Sequence, residues 1–122
     1  MRKKAVEIGE TGGPYSPAII TDNLIFVSGQ LPLNPESGAM PQGIEAQARQ
    51  SLENLKAVLQ QAGAGLPNVV KTMVFITDMK DFDTVNRVYG EYFERPCPAR
   101  SCIAVAALPK GALVEIEAVA AV

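Results

Sequence analysis

Two segments in the last quarter of the chain carry polar residues that alternate with apolar ones. Arg100 and Cys102 lie two residues apart in one segment, and Glu115 and Glu117 do so in the other. Because successive side chains of a β-strand point to opposite faces, each pair shares one face of its strand. An arginine fork can bind a carboxylate, and a nearby glutamate can orient or deprotonate a water. The pattern is compatible with hydrolytic chemistry on a small acid, although a structural salt bridge or a solvated face is the commoner interpretation of such a pair.

The two segments are predicted to pair as a hairpin across the turn at residues 108–111. In the register that places Cys102 opposite Glu117, the apolar side chains form one layer, and Arg100 shares the other layer with Glu115. Glu115 then lies about 13 Å along the strand from the position opposite Arg100, at ~3.3 Å per residue. This separation leaves space for a small acid between the two side chains.

Other positions could contribute to a ligand site, and each also has an ordinary structural interpretation. Tyr15 lies in a loop rich in Gly and Pro, where its phenol could donate to a ligand or serve only in packing. Ser28 and Gly29 end a predicted strand and could offer a hydroxyl and a backbone N–H, or simply form a turn. Asn86 is a poor helix former, so it either faces solvent or hydrogen-bonds a ligand or the backbone. Cys102 has no histidine to lower its pKa, which favours a small buried side chain over a nucleophile.

The composition excludes several classes of mechanism. The 122 residues include no His and no Trp, which removes imidazole bases, His metal ligands and indole stacking, and no metal or organic cofactor is expected. With 11 Lys and Arg against 13 Asp and Glu, the chain lacks the positive footprint of a nucleic-acid binder. The two cysteines, Cys97 and Cys102, match no disulfide or CxxC pattern and are expected to be reduced. The absence of a long apolar stretch predicts no signal peptide, no membrane span and a cytoplasmic location.

The elements that position these residues are predicted in the order β-β-β-α-β-α-β-β, within one domain that spans residues 1–122. Apolar residues recur at helical spacing from Ile44 to Ala62, and Gly63 ends that helix. Asp81 is a suitable N-cap for a second helix, whose apolar stripe ends at Phe93. The six strands are predicted around residues 6–8, 18–20, 24–27, 69–77, 101–107 and 114–122.

Two helices of this length cover one face of a six-stranded mixed sheet and leave the other face bare. The fold class is therefore α+β. The bare face is rich in Ala and Val, and an uncovered apolar sheet face is an association surface, which predicts an oligomer of identical chains. A monomer with a partly exposed sheet is the alternative.

Five segments, found in order along almost the whole chain, resemble the Rid family, also called YjgF/UK114. They are Gly-Pro-Tyr-Ser at 13–16, Ile-Phe-Val-Ser-Gly-Gln at 25–30, Gln-Ala-Arg-Gln-Ser-Leu-Glu-Asn-Leu at 47–55, Pro-Ala-Arg-Ser at 98–101 and Val-Glu-Ile-Glu at 114–117. The resemblance implies a chorismate-mutase-like fold of the bacillus type. It also implies a homotrimer whose sheets form a central barrel, with ligand clefts between subunits.

For the deaminase branch of that family, the resemblance implies hydrolysis of enamines and imines such as 2-aminoacrylate to 2-oxo acids and ammonia. It assigns carboxylate binding to Arg100 and water positioning to Glu115, whereas Glu117 does not match the family's glutamate. The implied lining of the cleft consists of Tyr15, Ser28, Gly29, Asn86 and Cys102.

One segment departs from the family, and two other functions stay open. Residues 94–97 are shorter than the usual loop, and Cys97 stands where the family carries a bulky residue, so the size of the substrate is expected to differ. The chain could instead be a trimer that binds or senses 2-oxo acids without turnover. A ribonuclease or translation inhibitor is a third interpretation, which the acidic balance and the lack of His disfavour.

Overall fold

A computed structural model describes residues 2–9 and 11–122, and within these residues the eight main elements follow the expected order. The first helix begins at Ile44, as its pattern predicts, and the fifth strand begins and ends earlier than expected. The elements are β1 (Lys4–Val6), β2 (Ala18–Thr21), β3 (Leu24–Gln30), α1 (Ile44–Gln61), β4 (Val69–Ile76), α2 (Phe82–Tyr92), β5 (Ala99–Ala104) and β6 (Val114–Ala121).

The six strands form one mixed sheet in the order β1-β2-β3-β6-β4-β5. All neighbouring strands are antiparallel except β4 and β5, which run parallel. The β2–β3 hairpin predicted from the sequence is confirmed, and Asp22 adopts a φ of 51° at its turn. The α2 helix supplies the crossover that a parallel pair requires.

The predicted hairpin between the last two strands is wrong, because β4 lies between β5 and β6. Thr72 of β4 pairs with Arg100 on one side and with Ala118 on the other. The hairpin was expected from the alternation of β5 and β6 alone, without β4, which is more apolar than either. Inserting β4 between its two neighbours buries it on both edges, which the direct hairpin would not do.

The core lies between the two helices and one face of the sheet, as expected. The apolar stripes of both helices are buried against alternate residues of β3, β4 and β6. Side chains with 0–1% exposure include Leu52, Leu55 and Leu59 of α1, Val85 and Val88 of α2, and Ile25, Val74 and Ile116 of the sheet.

The start of α2 differs in detail from its predicted cap. Asp81 occupies the N-cap position but its side chain makes no capping hydrogen bond. Asp78 instead accepts a hydrogen bond of 3.0 Å from the backbone N–H of Lys80 and begins a short 3₁₀ turn that leads into α2. The capping interaction therefore lies one turn upstream of the predicted one.

The second face of the sheet is not covered by either helix. It carries Glu115 and Glu117 of β6, and also Phe26 and Ile103, which are 45% and 44% exposed. We call this surface the open face. In the described part of the chain, neither helix has the length and apolar character needed to cross a membrane.

Candidate functional site

Arg100 lies on β5 and points to the side of the sheet that the helices cover. Its guanidinium carbon is 4.9 Å from the ring centroid of Tyr89 and 5.7 Å from that of Phe82, both on α2. No Asp or Glu within residues 2–9 and 11–122 forms an ion pair with it. Aromatic rings rather than a carboxylate therefore support this charge.

The ring beneath Arg100 is itself held in place. The hydroxyls of Tyr89 and Thr72 are 2.7 Å apart and form a buried hydrogen bond. The Tyr89 ring also packs on Phe93, with centroids 4.6 Å apart. Burial raises the pKa of the Tyr89 phenol further above its ordinary value.

Two of the other predicted site residues lie close to Arg100 in the fold. Asn86 follows Phe82 by four positions and precedes Tyr89 by three, so it shares their side of α2. Cys102 is half-buried and follows Arg100 on the same face of β5. Burial raises the pKa of the Cys102 thiol, an effect that the Arg100 charge only partly opposes, which supports its interpretation as a thiol rather than a nucleophile.

Glu115 lies on the open face, where its neighbours across the sheet are Phe75 and Ile103. Its carboxylate packs directly on the backbone of Gly29, since a Cβ built there would lie 2.5 Å from Oε2. Burial, and then the negative charge of Glu117, raise the pKa of Glu115 above its ordinary value. A carboxylate in this setting is a stronger base than an exposed one.

A bulge in β3 creates the space that Glu115 occupies. The register between β3 and β6 shifts between Val27 and Gln30, at Ser28 and Gly29. Ser28 donates its hydroxyl to the carbonyl of Ser16 at 2.6 Å, and its backbone N–H to the carbonyl of Pro17 at 2.9 Å. Ser28, which is predicted to line the ligand cleft, therefore also holds the loop before β2 in place through hydrogen bonds.

Tyr15 lies on the loop that Ser28 fastens and is 56% exposed. Its hydroxyl is 3.4 Å from the backbone N–H of Gly12, a weak contact that leaves the phenol able to donate. It lines a cleft of about 480 Å³ together with Ser28 and Gly29. The loop between β1 and β2 and the β3 bulge thus bring three predicted site residues to one cleft, and Gly29 links it to Glu115, which does not itself line the cleft.

The predicted site residues therefore form two groups instead of one. Arg100, Asn86 and Cys102 lie at the β5 edge beside α2, whereas Glu115 belongs with the β3 bulge. Arg100 and Glu115 are two strands apart across the sheet and three residues apart along it, or about 14 Å at ~4.8 Å per strand and ~3.3 Å per residue. They also point to opposite faces, so the expectation that they share one face is wrong.

Some polar residues that hold the site in place through hydrogen bonds were not predicted from the sequence. Thr72 is a buried polar residue within an apolar strand, a signal of a specific hydrogen bond. On α1, Ser51 donates to the carbonyl of Gln30 and Asn54 donates to those of Leu31 and Leu33, which fixes the segment after the bulge.

In the described ranges, no three His, Cys, Asp or Glu side chains cluster as metal ligands would.

Comparison with known proteins identifies the family. Residues 6–122 match the sequence model of the family described as endoribonuclease L-PSP. The 2-iminobutanoate/2-iminopropanoate deaminase of Mus musculus is 50% identical over 109 residues, 88% of this chain and 81% of that protein. The deaminase of the same name from Escherichia coli K12 is 48% identical, over 88% of this chain and 87% of its own.

Solved structures agree with these sequence matches. A Rid-family protein of unknown function from Yersinia pestis, YyfA, superposes with a TM-score of 0.95 at 45% identity, over 99% of this chain and all of its own. TdcF of E. coli, solved with bound serine, has a TM-score of 0.92 at 42% identity over 98% of each chain. The motifs, the sequence matches and the fold agree, and this chain belongs to the Rid family.

Proposed function

We propose that this protein is a hydrolytic deaminase that converts enamine and imine acids such as 2-aminoacrylate to 2-oxo acids and ammonia. Its relatives at about half identity carry the name of such an enzyme. A structural relative binds serine, which bears the α-carboxylate that these substrates share. In the proposal, the working form is a homotrimer with sites between adjacent chains.

The observation that carries the proposal is the uncompensated charge of Arg100. Arg49 and Arg87 each pair with Glu45 on the outer surface of the helices. The other arginines without a carboxylate partner in the described residues are exposed, whereas Arg100 is half-buried against aromatic rings. A structural salt bridge, the alternative left open by the sequence, would need such a partner. A ligand carboxylate can occupy both branches of the guanidinium fork.

Glu115 is assigned as the base that directs water. Burial and the charge of Glu117 raise its pKa, which brings its basicity closer to the operating pH. Its contact with Gly29 fixes the carboxylate against the backbone of the bulge. An imine carbon is already electrophilic, so a positioned water and one base can suffice.

The opposite orientations of Arg100 and Glu115 support a site shared between chains. A three-carbon acid cannot reach both residues of one chain across about 14 Å and through the sheet. A second chain packed on the open face could bring its Arg100 to the Glu115 of the first. The exposed Phe26 and Ile103 give that face apolar area to bury on association.

The proposed reaction proceeds in three steps. The enamine moves a proton from nitrogen to its terminal carbon and becomes the imine, whose carboxylate Arg100 holds. Water adds through oxygen to the imine carbon while Glu115 accepts one water proton and passes it to the nitrogen, which gives a carbinolamine. Glu115 then accepts the hydroxyl proton as the C=O bond forms and the C–N bond breaks, and it passes this proton to the nitrogen, which leaves as ammonia.

A coupled assay tests this function. A serine dehydratase generates 2-aminoacrylate, and release of the 2-oxo acid is followed with and without the protein. We expect acceleration by the wild-type protein and a loss of about 100-fold or more in kcat/KM for Arg100→Ala. Arg87→Ala, an exposed arginine with a carboxylate partner, is the matched control and should retain activity. Normal turnover by Arg100→Ala would contradict the assignment.

The main competing function is binding without turnover, and Glu115→Gln separates the two. For an enzyme, this substitution should lower kcat by roughly 100-fold to 10,000-fold and leave the affinity for 2-oxobutanoate nearly unchanged. If the wild-type protein binds 2-oxobutanoate but does not accelerate release of the 2-oxo acid in the coupled assay, the sensor interpretation replaces the deaminase.

A further inference from the structure

Three residues from three elements form a closed chain of contacts at the β5 edge of the sheet. Thr72 of β4 is in register with Arg100 of β5, so their side chains lie side by side on the same face. Thr72 also shares the buried hydrogen bond of 2.7 Å with the hydroxyl of Tyr89. The ring of Tyr89, in turn, lies 4.9 Å from the guanidinium carbon of Arg100.

Each contact restricts a different motion. The hydrogen bond fixes the phenol end of Tyr89, and the Phe93 ring, with its centroid 4.6 Å away, restricts the tilt of the Tyr89 ring. A cation above an aromatic face is attracted by the ring quadrupole, and a planar guanidinium stacks there better than an ammonium. The Tyr89 ring therefore offers Arg100 a fixed surface instead of a mobile one.

This support differs from the usual way of fixing an arginine. A carboxylate would hold the guanidinium firmly but would occupy the donors and neutralise the charge that a substrate carboxylate needs. An aromatic face attracts the cation without using its N–H groups. A tyrosine phenol is uncharged near neutral pH, so the ring also adds no negative charge of its own.

We propose that Tyr89, locked by Thr72, is a positioning residue that sets the affinity of Arg100 for the substrate carboxylate. The inference rests on the proposed function to the extent that Arg100 binds a carboxylate ligand. Tyr89 acts through Arg100, and Thr72 acts through Tyr89. Arg100 binds the carboxylate in the ground state and in the transition state alike, so loosening it should raise KM more than it lowers kcat.

Three variants dissect the chain of contacts. Tyr89→Leu removes the aromatic face, Tyr89→Phe keeps that face and removes the hydroxyl, and Thr72→Val removes the partner hydroxyl at nearly constant shape. Tyr92→Leu is the matched control, because Tyr92 is a half-buried residue of the same helix that has no contact with Arg100 among those described. The readouts are kcat and KM in the coupled assay, the Kd for 2-oxobutanoate by calorimetry, and thermal unfolding.

We expect Tyr89→Leu to raise KM and Kd by about 3-fold to 30-fold, the range that corresponds to cation–π contacts, with kcat within about twofold of wild type. Tyr89→Phe should restore most of the loss but still raise both constants by about twofold to fivefold, and Thr72→Val should match it. Tyr92→Leu should leave both constants unchanged. A purely structural role would instead lower the unfolding temperature and the active fraction while KM and Kd stay constant.

The inference and the proposed function fail in distinguishable ways. If Tyr89→Leu, Tyr89→Phe and Thr72→Val all retain wild-type Kd and KM, the inference is overturned and the deaminase stands. If the wild-type protein binds 2-oxobutanoate without turnover and Tyr89→Leu weakens that binding, the deaminase fails and the inference stands. Should Tyr89→Leu not fold, an unchanged Kd in both Tyr89→Phe and Thr72→Val overturns it. A wild-type protein that binds no carboxylate overturns both.

Discussion

Arg100 and Glu115 lie on opposite faces of the same sheet, with β4 between their strands. Thr72, the β4 neighbour of Arg100, points into the core, and Phe75, the β4 neighbour of Glu115, belongs to the open face. The cation and the base assigned to one reaction are thus separated by the sheet itself. A single chain holds both groups and cannot bring them to one small substrate.

Mixed oligomers should recover the activity that two single variants lose. Arg100→Ala and Glu115→Gln are each expected to be inactive alone. When the two are unfolded, mixed in equal amounts and refolded together, about one quarter of the sites should combine an intact Arg100 with an intact Glu115 from its neighbour. The coupled assay measures the recovery, and each variant refolded alone is the control. Mixed oligomers that form, as native mass spectrometry would show, but stay inactive would contradict a shared site.

Activity should fall on the acid side as Glu115 becomes protonated. Its pKa is raised, first by burial and then by the charge of Glu117, so the fall should begin at a higher pH than for an ordinary glutamate. Glu117→Gln removes one of the two causes and should move the acid limb of kcat/KM to lower pH. The exposed Glu36→Gln is the control and should leave the profile in place. An acid limb unmoved by Glu117→Gln would argue against Glu115 as the titrating base.

Glu115→Gln should stabilise the folded protein while abolishing turnover. A carboxyl group with a raised folded pKa favours folding when protonated, and it loses that advantage as the pH rises from the unfolded pKa through the folded one. Above that window the ionised group is less compatible with its site than a neutral amide. We expect a higher unfolding temperature than wild type at pH 7 and a smaller gain at low pH. An equal or lower unfolding temperature at pH 7 would contradict the burial of this charge.

Gly29→Ala should impair catalysis through contact with Glu115. The added Cβ would lie 2.5 Å from the Glu115 Oε2 atom, closer than real contacts allow, so the carboxylate must move. We expect kcat to fall by about tenfold or more, the scale of a small misplacement of a catalytic group, with modest loss of stability. Normal kcat in Gly29→Ala would show that the position of the carboxylate is unimportant.

Gly90→Ala is the matched glycine control. Gly90 lies in α2, is exposed, and has no atom within 4 Å of its built Cβ. Alanine at this position should raise stability by about 0.5–1 kcal/mol because glycine is the poorer helix former. Activity should equal that of wild type, and a fall in kcat here would point to α2 rather than to Glu115.

The local parts of the fold could be predicted from the sequence. The apolar spacing that begins at Ile44 gave the first helix, and the turn at Asp22 and its flanking strands gave the first hairpin. These features depend on neighbouring residues, whose periodicity and turn chemistry are visible in one short window. The position of Asp81 at the start of α2 was also correct, whereas the capping bond went to Asp78, because a 3₁₀ turn precedes the helix.

The pairing of distant strands could not be predicted in the same way. The alternation of Arg100 with Cys102 and of Glu115 with Glu117 placed each pair on one face of its own strand, and the structure agrees. The position of β4 between β5 and β6 depends on how deeply β4 is buried, and that burial is a property of the whole sheet. Burial of the fifth and sixth strands alone favours a direct hairpin, but in the structure β4 lies between them.

By itself, the sequence determined the residue types, their periods and the family, and with them the candidate groups for a carboxylate anchor and a base without imidazole. Only the tertiary structure decided that Arg100 is supported by the rings of Tyr89 and Phe82, that Glu115 packs on Gly29, and that the two groups face away from each other. Local patterns fix the face of a residue relative to its own strand. The contacts between faces depend on which strands become neighbours, and that is decided by burying the most apolar strand in the interior of the sheet.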